Sequence, residues 1–450
     1  MAAERDQKTG EPGRRRYSQD DVDAVLVKHK AYLMRHRGGI RASLKMADLS
    51  YLDFSNSDLS EADLTGARMI GANLRNTRFH GATLFAADLS GANMDGADIM
   101  KSDLRGIRMR KASLIGAKVM ESDLRDGMLF NSARGELTPL DYEAGTASDA
   151  RSINARNADL SGSKLSNAFI VQSDLTDAVM RGAKFIRADM SKANMTGCNL
   201  VGADLSHANL EGAILHGAIM SQATLLSTNL KSADLIGAIL DAVDLSVANT
   251  DNARMVRRIE TLTLVLKQAV IDHVLWIESG GREGQRADFS EIDMSGENLS
   301  DLNFAGAKMA FAVLKRANLN KVSLMMADMS FADLRDADLS YSDLRGINLS
   351  RATLSGAKLV GARIGPVPIE GATISHWPSK LDHARLDHCD LSGAELPSAD
   401  LEAADLTHAI LRGANLSDAI LLDANLTNAD LRGAFLNGAD VRGAVGLPRS

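Results

Sequence analysis

The chain is poor in the residues that commonly carry chemistry or cross-links. Its 450 residues include two cysteines, seven prolines and two tryptophans, and aromatic residues make up only 4%. The cysteines form no Cys-x-x-Cys motif, which argues against a redox or metal role. The sequence also has no Gly-Lys-Ser/Thr phosphate-binding loop and no zinc-protease helix signature. We therefore expect no enzyme, and we assign no catalytic residue, no cofactor and no metal.

Long apolar runs and an excess of one charge are also missing. The most apolar stretch, residues 262–277, is interrupted by Lys267, Asp272 and His273, so no membrane span is expected. The formal net charge is only −7, from 51 basic and 58 acidic residues. The one basic cluster, Arg14–Arg16, lies in a tail, and aromatic residues are too scarce for a base-stacking platform. Direct nucleic-acid binding is not expected, and the expected location is cytoplasmic.

What the chain has in abundance is a five-residue repeat of the form A-(D/N)-L-x-x. From Leu44 onwards a large apolar residue recurs at every fifth position, and a small residue such as Ala47 stands two positions before it. This period fits neither an α-helix nor a β-strand, so the chain must turn at regular intervals. We predict a square coil whose large and small repeat residues point inward. Stacked coils would pair like strands, about 4.8 Å apart.

Cysteines and prolines fit this pattern. Cys198 and Cys389 both stand at the small inward position, where they replace alanine as buried side chains. All prolines except Pro397 lie in breaks of the repeat or in the tails, as expected if the repeating backbone donates hydrogen bonds to its neighbours.

Stretches such as Ala87-Asp88-Leu89-Ser90-Gly91 and Ala203-Asp204-Leu205-Ser206-His207 resemble the motif of the pentapeptide-repeat family. The resemblance covers most of the chain. It implies an all-β solenoid, a right-handed quadrilateral β-helix with one pentapeptide on each side of the coil.

Interruptions of the repeat divide the chain into segments. Residues 1–16 are predicted to be a flexible basic tail, and residues 17–39 a helix that caps the first module. Residues 40–251 form the first solenoid, with a break at about 130–157. Residues 252–281 form an inter-module helix. The second solenoid covers residues 282–450, with a break at about 365–380.

The two predicted helices share details that indicate a tandem duplication. His29 is followed three residues later by Tyr32, and His273 is followed in the same way by Trp276. Each helix then runs through a Gly-Gly pair to an Arg-Ala pair that opens a solenoid. Each would cover the exposed strand edges of a first coil. After the second helix, Glu297 stands at a position that should be small, so we expect that coil to be distorted or open.

Outward positions one coil apart predict two ladders of alternating charge. In some members of the resembled family a strongly acidic surface imitates duplex DNA and binds DNA gyrase, so a DNA-mimic modulator of such a topoisomerase is the alternative function. A DNA mimic would be expected to carry uninterrupted acidic stacks. The two ladders instead mix signs, which favours a solvated surface: Asp48, Arg68, Asp88 and Arg108 on one face, and Asp58, Arg78, Asp98 and Lys118 on another.

Function is expected at an interruption of the repeat. The break at 365–380 carries the candidate partner-contact residues Pro368, His376 and Trp377. Trp377 is either an exposed anchor for a partner or a plug over an exposed coil edge, and the sequence leaves both open. His388 and His408 lie one coil apart, but the usual four-ligand metal set is absent.

We therefore expect a noncatalytic structural scaffold or protein–protein interaction solenoid with an unidentified protein partner. The C-terminal end carries no predicted helix after Val441, so it is a candidate surface for a homodimer.

Overall fold

The computed structural model describes residues 14–125, 128–131, 136–139, 150–255, 262–369 and 375–447. The chain divides into two compact units, Met1–Arg254 and Met255–Ser450. In each unit an α-helix precedes a long run of five-residue segments.

Both units are right-handed four-sided β-helices. The Leu49 amide donates to the Arg68 carbonyl at 2.7 Å, and the Arg68 amide donates to the Ala47 carbonyl at 2.8 Å. Asp48 and Arg68 thereby form a parallel bridge, and the same pairing repeats from coil to coil. The backbone groups of these ladders find their partners in the coil above or below. The predicted fold class is confirmed.

The core of each unit consists of the large repeat residues and the small residues two positions before them. Cys198 and Cys389 are fully buried among the alanines, and burial raises the pKa of both thiols. The Cys389 thiol donates to the Leu354 carbonyl at 2.9 Å. Both thiols are therefore held protonated in an apolar interior.

Coil corners require a left-handed residue, which the repeat supplies at its last position. Tyr51 has φ 64° and Gly71, one coil further on, has φ 61°. A Cβ atom on Gly71 would lie 2.7 Å from Tyr51 Cε1, so only glycine fits beneath that ring. The acidic repeat residue also shapes the corner, because Asp48 Oδ1 accepts a hydrogen bond from the Ser50 amide at 3.1 Å. Turn chemistry therefore accounts for the Asp and Asn preference.

Two α-helices cover the beginnings of the solenoids. Helix α1 spans Gln19–Leu33 and begins with a capping box between Ser18 and Asp21. Helix α2 spans Leu262–Glu278. Neither helix in the described part of the chain is long and apolar enough to cross a membrane.

The prediction of a flexible tail up to residue 16 is wrong for Arg14–Arg16. The Asp48 amide donates to the Arg15 carbonyl at 2.8 Å, and the Tyr17 amide donates to the Asp48 carbonyl at 3.1 Å. The first coil has an unpaired strand edge, and this segment supplies the missing partner. The rest of the predicted tail, residues 1–13, lies outside the described residues.

Both breaks contain antiparallel hairpins inserted at a corner of the coil. In the first unit, strands β1 (Met128–Asn131) and β2 (Glu136–Pro139) pair, and in the second β3 (Val367–Ile369) pairs with β4 (Ser375–Trp377). The coil resumes at Ala150, whose amide donates to the Phe169 carbonyl at 2.8 Å. The solenoid therefore returns before residue 157, the predicted end of the first break.

The end of the first solenoid also differs slightly from the predicted boundary at residue 251. A short 3-10 helix spans Leu245–Val247. The ladder continues beyond it to Arg254, whose amide donates to the Ala233 carbonyl at 2.9 Å.

The prediction that Glu297 distorts its coil is wrong. The Glu297 amide donates to the Met294 carbonyl at 3.2 Å, and the Asn318 amide donates to the Glu297 carbonyl at 2.9 Å. The backbone of this coil therefore keeps the regular pattern. Glu297 stands in an end coil, where its half-buried side chain lines a cleft with Lys267 of α2 instead of entering the core.

Candidate functional site

A buried histidine fastens each helix to its solenoid. His29 Nδ1 accepts a hydrogen bond from the Ala42 amide at 3.0 Å, and its Nε2 lies 3.0 Å from the Ser60 carbonyl oxygen. The proton therefore resides on Nε2. In the second unit His273 Nδ1 accepts from the Ala287 amide at 3.0 Å. Burial lowers the pKa of both imidazoles and favours their neutral form.

An aromatic side chain stacks on each of these histidines and lies at one corner of the solenoid. Tyr32 stacks on His29 with ring centroids 5.9 Å apart, and Trp276 stacks on His273 at 5.5 Å. The Trp276 ring reaches Gly306, where a Cβ atom would lie 3.8 Å from Cη2. The Arg286 Nε group donates to the Gly306 carbonyl beside it.

The hairpin β3–β4 brings the three predicted contact residues together. Its register places Pro368 opposite His376 and Val367 opposite Trp377. Pro368 and His376 are exposed, and Trp377 keeps 47% of its surface exposed. The Trp377 indole donates from Nε1 to the Gly346 carbonyl at 3.1 Å.

Trp377 lies on the side of the solenoid. The coil pairing continues on both sides of the hairpin, because the Gly346 amide donates to the Gly365 carbonyl at 3.0 Å and the Lys380 amide donates to the Ile347 carbonyl at 2.8 Å. The ring therefore covers a corner of paired coils and not an open coil edge.

Trp276 and Trp377 form the two ends of one groove along this corner. Gly306, Met326 and Gly346 occupy the same corner in successive coils, linked by Gly306 N–Met325 O and Met326 N–Arg345 O hydrogen bonds of 2.7 and 2.9 Å. The groove has a volume of about 540 Å³, and among its described lining residues Arg286 alone is charged. We call it the tryptophan groove. Its apolar lining includes Trp276, Ile277, Ala305, Met325, Met326 and Trp377.

The predicted charge-ladder residues are neighbours in successive coils. Bridges join Asp58 to Arg78 and Arg78 to Asp98, and Arg78 Nη1 lies 3.0 Å from Asp58 Oδ2. Burial opposes ionisation of Asp58, but hydrogen bonds from Ser60 and Arg78 outweigh it and lower the pKa. The other members of the two ladders follow the same pairing: Asp48, Arg68, Asp88 and Arg108 on one face, and Lys118 beyond Asp98 on the other.

His388 and His408 stack but do not converge on a common point. Their centroids are 4.9 Å apart and their planes differ by 20°. The lone pairs of imidazole lie in the ring plane, so nearly parallel stacked rings do not direct them at one ion. In the described part of the chain, no group of three or more potential ligands is placed to hold a metal.

Sequence reasoning identified Trp377 but missed the other residues of the tryptophan groove. Trp276 lies in a helix and Trp377 in a hairpin, so neither belongs to the repeat that aligns the coils. Counting by coils could have placed Gly306, Met326 and Gly346 at one corner, but it could not have placed the two tryptophans beside them.

Comparisons with known proteins agree with this architecture. The family model for pentapeptide repeats (8 copies) matches overlapping stretches that together span residues 42–126, 154–246, 285–324, 327–364 and 379–445. No curated protein matches the chain.

Solved pentapeptide-repeat structures are similar to parts or most of the chain. QnrB1, a plasmid-mediated fluoroquinolone resistance protein, is 16% identical over 50% of this chain and 93% of its own, with a TM-score of 0.27. A protein from the Arabidopsis thaliana thylakoid lumen is 26% identical over 27% and 77%, with a TM-score of 0.18. HetL from Nostoc sp. strain PCC 7120, involved in heterocyst differentiation regulation, is 21% identical over 94% and 98%, with a TM-score of 0.13. None of these likenesses carries a function over to this chain.

Proposed function

Because the chain belongs to the pentapeptide-repeat family, we propose that it is a noncatalytic protein-interaction scaffold whose second unit binds a partner protein through the tryptophan groove. The observation that carries this proposal is the convergence of both tryptophans of the chain on one open groove.

The composition of the groove supports binding to a protein. Tryptophan and arginine are the residue types that most often dominate the energy of protein interfaces, and methionine is also enriched there. Met326 is 41% exposed between the two indoles. The volume of about 540 Å³ is large enough for several side chains of a partner.

Rigid support of both tryptophans also favours recognition. Trp276 is stacked on the buried His273, and Trp377 is hydrogen-bonded to the Gly346 carbonyl. Fixed side chains lose little conformational entropy when a partner binds. The described lining offers no nucleophile or general base, since its one charged residue is Arg286. We therefore assign the groove a binding role without catalysis.

Affinity capture from an extract of the source organism tests the proposal when three versions of the protein are compared. Trp377→Ala should lose the captured partner, because it removes one end of the groove. Tyr341→Ala is the matched control, since Tyr341 is also an exposed aromatic, 62% accessible, that covers a glycine, Gly361, one coil further on. The captured partner, once purified, must also change the tryptophan emission of the wild type. Equal capture by Trp377→Ala and the wild type would refute the proposal.

The surface gives the DNA-mimic alternative less support. Basic side chains interrupt the acidic columns, and pairs such as Arg78–Asp58 at 3.0 Å neutralise them locally. We expect the purified protein to leave the supercoiling activity of DNA gyrase unchanged. Inhibition or protection of the enzyme at stoichiometric concentration would restore this alternative.

A homodimer through the C-terminal end remains a separate proposal. The last described coils expose Phe435 and Val445 by 57% and 53%, and exposed apolar residues beside unpaired strand edges favour self-association. Light scattering of the wild type and Phe435→Ser tests it, with a strict monomer at high concentration as the contrary result. The cytoplasmic location also stays a prediction.

A further inference from the structure

We infer that the tryptophan groove recognises a short amphipathic segment of a partner protein, in which a carboxylate accompanies a large apolar side chain. This inference rests on the proposed function of the groove and adds the chemistry of its ligand.

The apolar part of the ligand is inferred from the side chains that line the groove. Two indoles close the ends, and the side chains of Met325, Met326 and Ala305 lie between them. Methionine adapts its shape to aliphatic and aromatic partners. A carbohydrate would also stack on tryptophan, but its hydroxyl groups need several polar partners. Here the described lining is almost entirely apolar, so an apolar side chain is the better fit.

The acidic part of the ligand follows from Arg286. Its side chain is exposed, and the bond from Nε to the Gly306 carbonyl fixes the guanidinium beside the indole of Trp276. The Nη groups remain as further donors, and a carboxylate is the acceptor that suits a guanidinium best.

Neighbouring charges already have partners of their own. Arg345 Nη2 lies 2.6 Å from Asp343 Oδ2, and Lys308 Nζ lies 3.8 Å from Asp288 Oδ2. Arg286 is thus the group in the described lining that would select for charge.

The length of the groove fits a short segment. Gly306 and Gly346 lie two coils apart, which corresponds to about 10 Å at the spacing of paired strands. About two turns of a helix, or three residues of an extended chain, cover this distance. An apolar anchor and a carboxylate one helical turn apart would therefore reach Met326 and Arg286 together.

Panning of a random-peptide phage library against the full chain tests the inference. Selected peptides are synthesised and titrated while the intrinsic tryptophan emission is followed, which is specific because the chain has only two tryptophans and both line the groove. We expect the peptides to combine Asp or Glu with a large apolar residue. Replacing the acid by its amide should weaken binding by about tenfold or more.

Variants of two arginines distinguish recognition of the ligand's charge from stabilisation of the protein. Arg286→Gln should lower the affinity for the acidic peptides by about tenfold and leave the affinity for their amide forms nearly unchanged. Arg41→Gln is the matched control, because Arg41 Nε makes the equivalent bond to the Glu61 carbonyl at 2.5 Å in the first unit. It should affect stability alone.

Two results would overturn the inference in distinguishable ways. Peptides that need Trp377 but bind equally to the wild type and Arg286→Gln would refute the acidic ligand and leave the groove as a binding site. A selection without any peptide that depends on Trp377 would refute both the inference and the proposed function.

Discussion

Equivalent corners of the two solenoids carry different side chains. In both, an arginine directly before the first repeat binds a backbone carbonyl at this corner, Glu61 in the first unit and Gly306 in the second. In the first unit the corner is polar. Tyr32 Oη donates to Glu61 Oε2 at 3.2 Å, and Lys101 Nζ lies 3.7 Å from Glu121 Oε2. In the second unit the same corner carries the tryptophan groove.

This difference shows that the corner residues are free to vary without a change of fold. The Gly81 and Met326 amides make equivalent bonds to the next coil, of 3.1 and 2.9 Å. The insertion site adds to the difference. In the second unit the hairpin leaves from the groove corner, whereas in the first it leaves from the neighbouring corner, beyond Gly106. The groove is therefore an addition to the scaffold and not a requirement of it.

The largest effect on stability is expected from Gly346→Ala. Gly346 has φ 67°, and a Cβ atom there would lie 2.9 Å from Val367 Cγ2 and 3.0 Å from Trp377 Cδ1. Left-handed strain and overpacking together should lower the free energy of unfolding by about 2–4 kcal/mol. Chemical denaturation monitored by circular dichroism measures this change.

Gly81→Ala is the matched control in the first unit. Gly81 has φ 66° but no atom within 4 Å of the added Cβ, so only the strain of about 1 kcal/mol should remain. Equal costs at the two glycines would show that Trp377 does not pack against Gly346 in solution.

A smaller effect, on binding, is expected from Met326→Gly, which gives the second unit the residue of the first. Met326 has φ 57°, so glycine removes backbone strain as it removes the floor of the groove. Affinity for groove-binding peptides should fall by about tenfold with unchanged or slightly higher stability. Fluorescence titration and denaturation give the two values, and unchanged affinity would mean that the ligand contacts another surface.

The smallest effect is expected from acid. The folded-state pKa of His29 and His273 is lowered, chiefly by burial. The unfolded chain therefore binds more protons below about pH 6.5, and stability is lost as pH falls from there through the folded-state pKa.

The two units should differ in this response. Arg41 lowers the pKa of His29 as Arg286 lowers that of His273, but the carboxylates of Asp58 and Glu61 raise the pKa of His29 and offset part of its burial. The second unit should thus lose more stability in acid. Denaturation of the wild type, His29→Gln and His273→Gln at several pH values measures the slope of the unfolding free energy against pH for each histidine. Slopes that survive these substitutions would assign the acid response to other groups.

The repeat predicted most of the fold, because its period aligns residues in successive coils. Asp58 and Arg78 were placed correctly as neighbours by this count alone. The corner geometry was missed, since the bond from the Ser60 amide to Asp58 Oδ1 follows from turn chemistry and not from the repeat. Residues outside the frame could not be positioned by counting, so Trp276 and Trp377 gave no sign that they share a groove. The pairing of Arg16 with Asp48 was hidden for the same reason.

Ligand-induced change in tryptophan emission tests the central claim most directly. Both tryptophans of the chain line the groove, so an authentic partner, or a selected acidic peptide, should shift the emission of the wild type. Trp377→Ala should abolish tight binding, with an affinity loss of about thirtyfold or more, while Tyr341→Ala should bind as the wild type does. Tight binding that leaves the emission unchanged and tolerates Trp377→Ala would contradict the account.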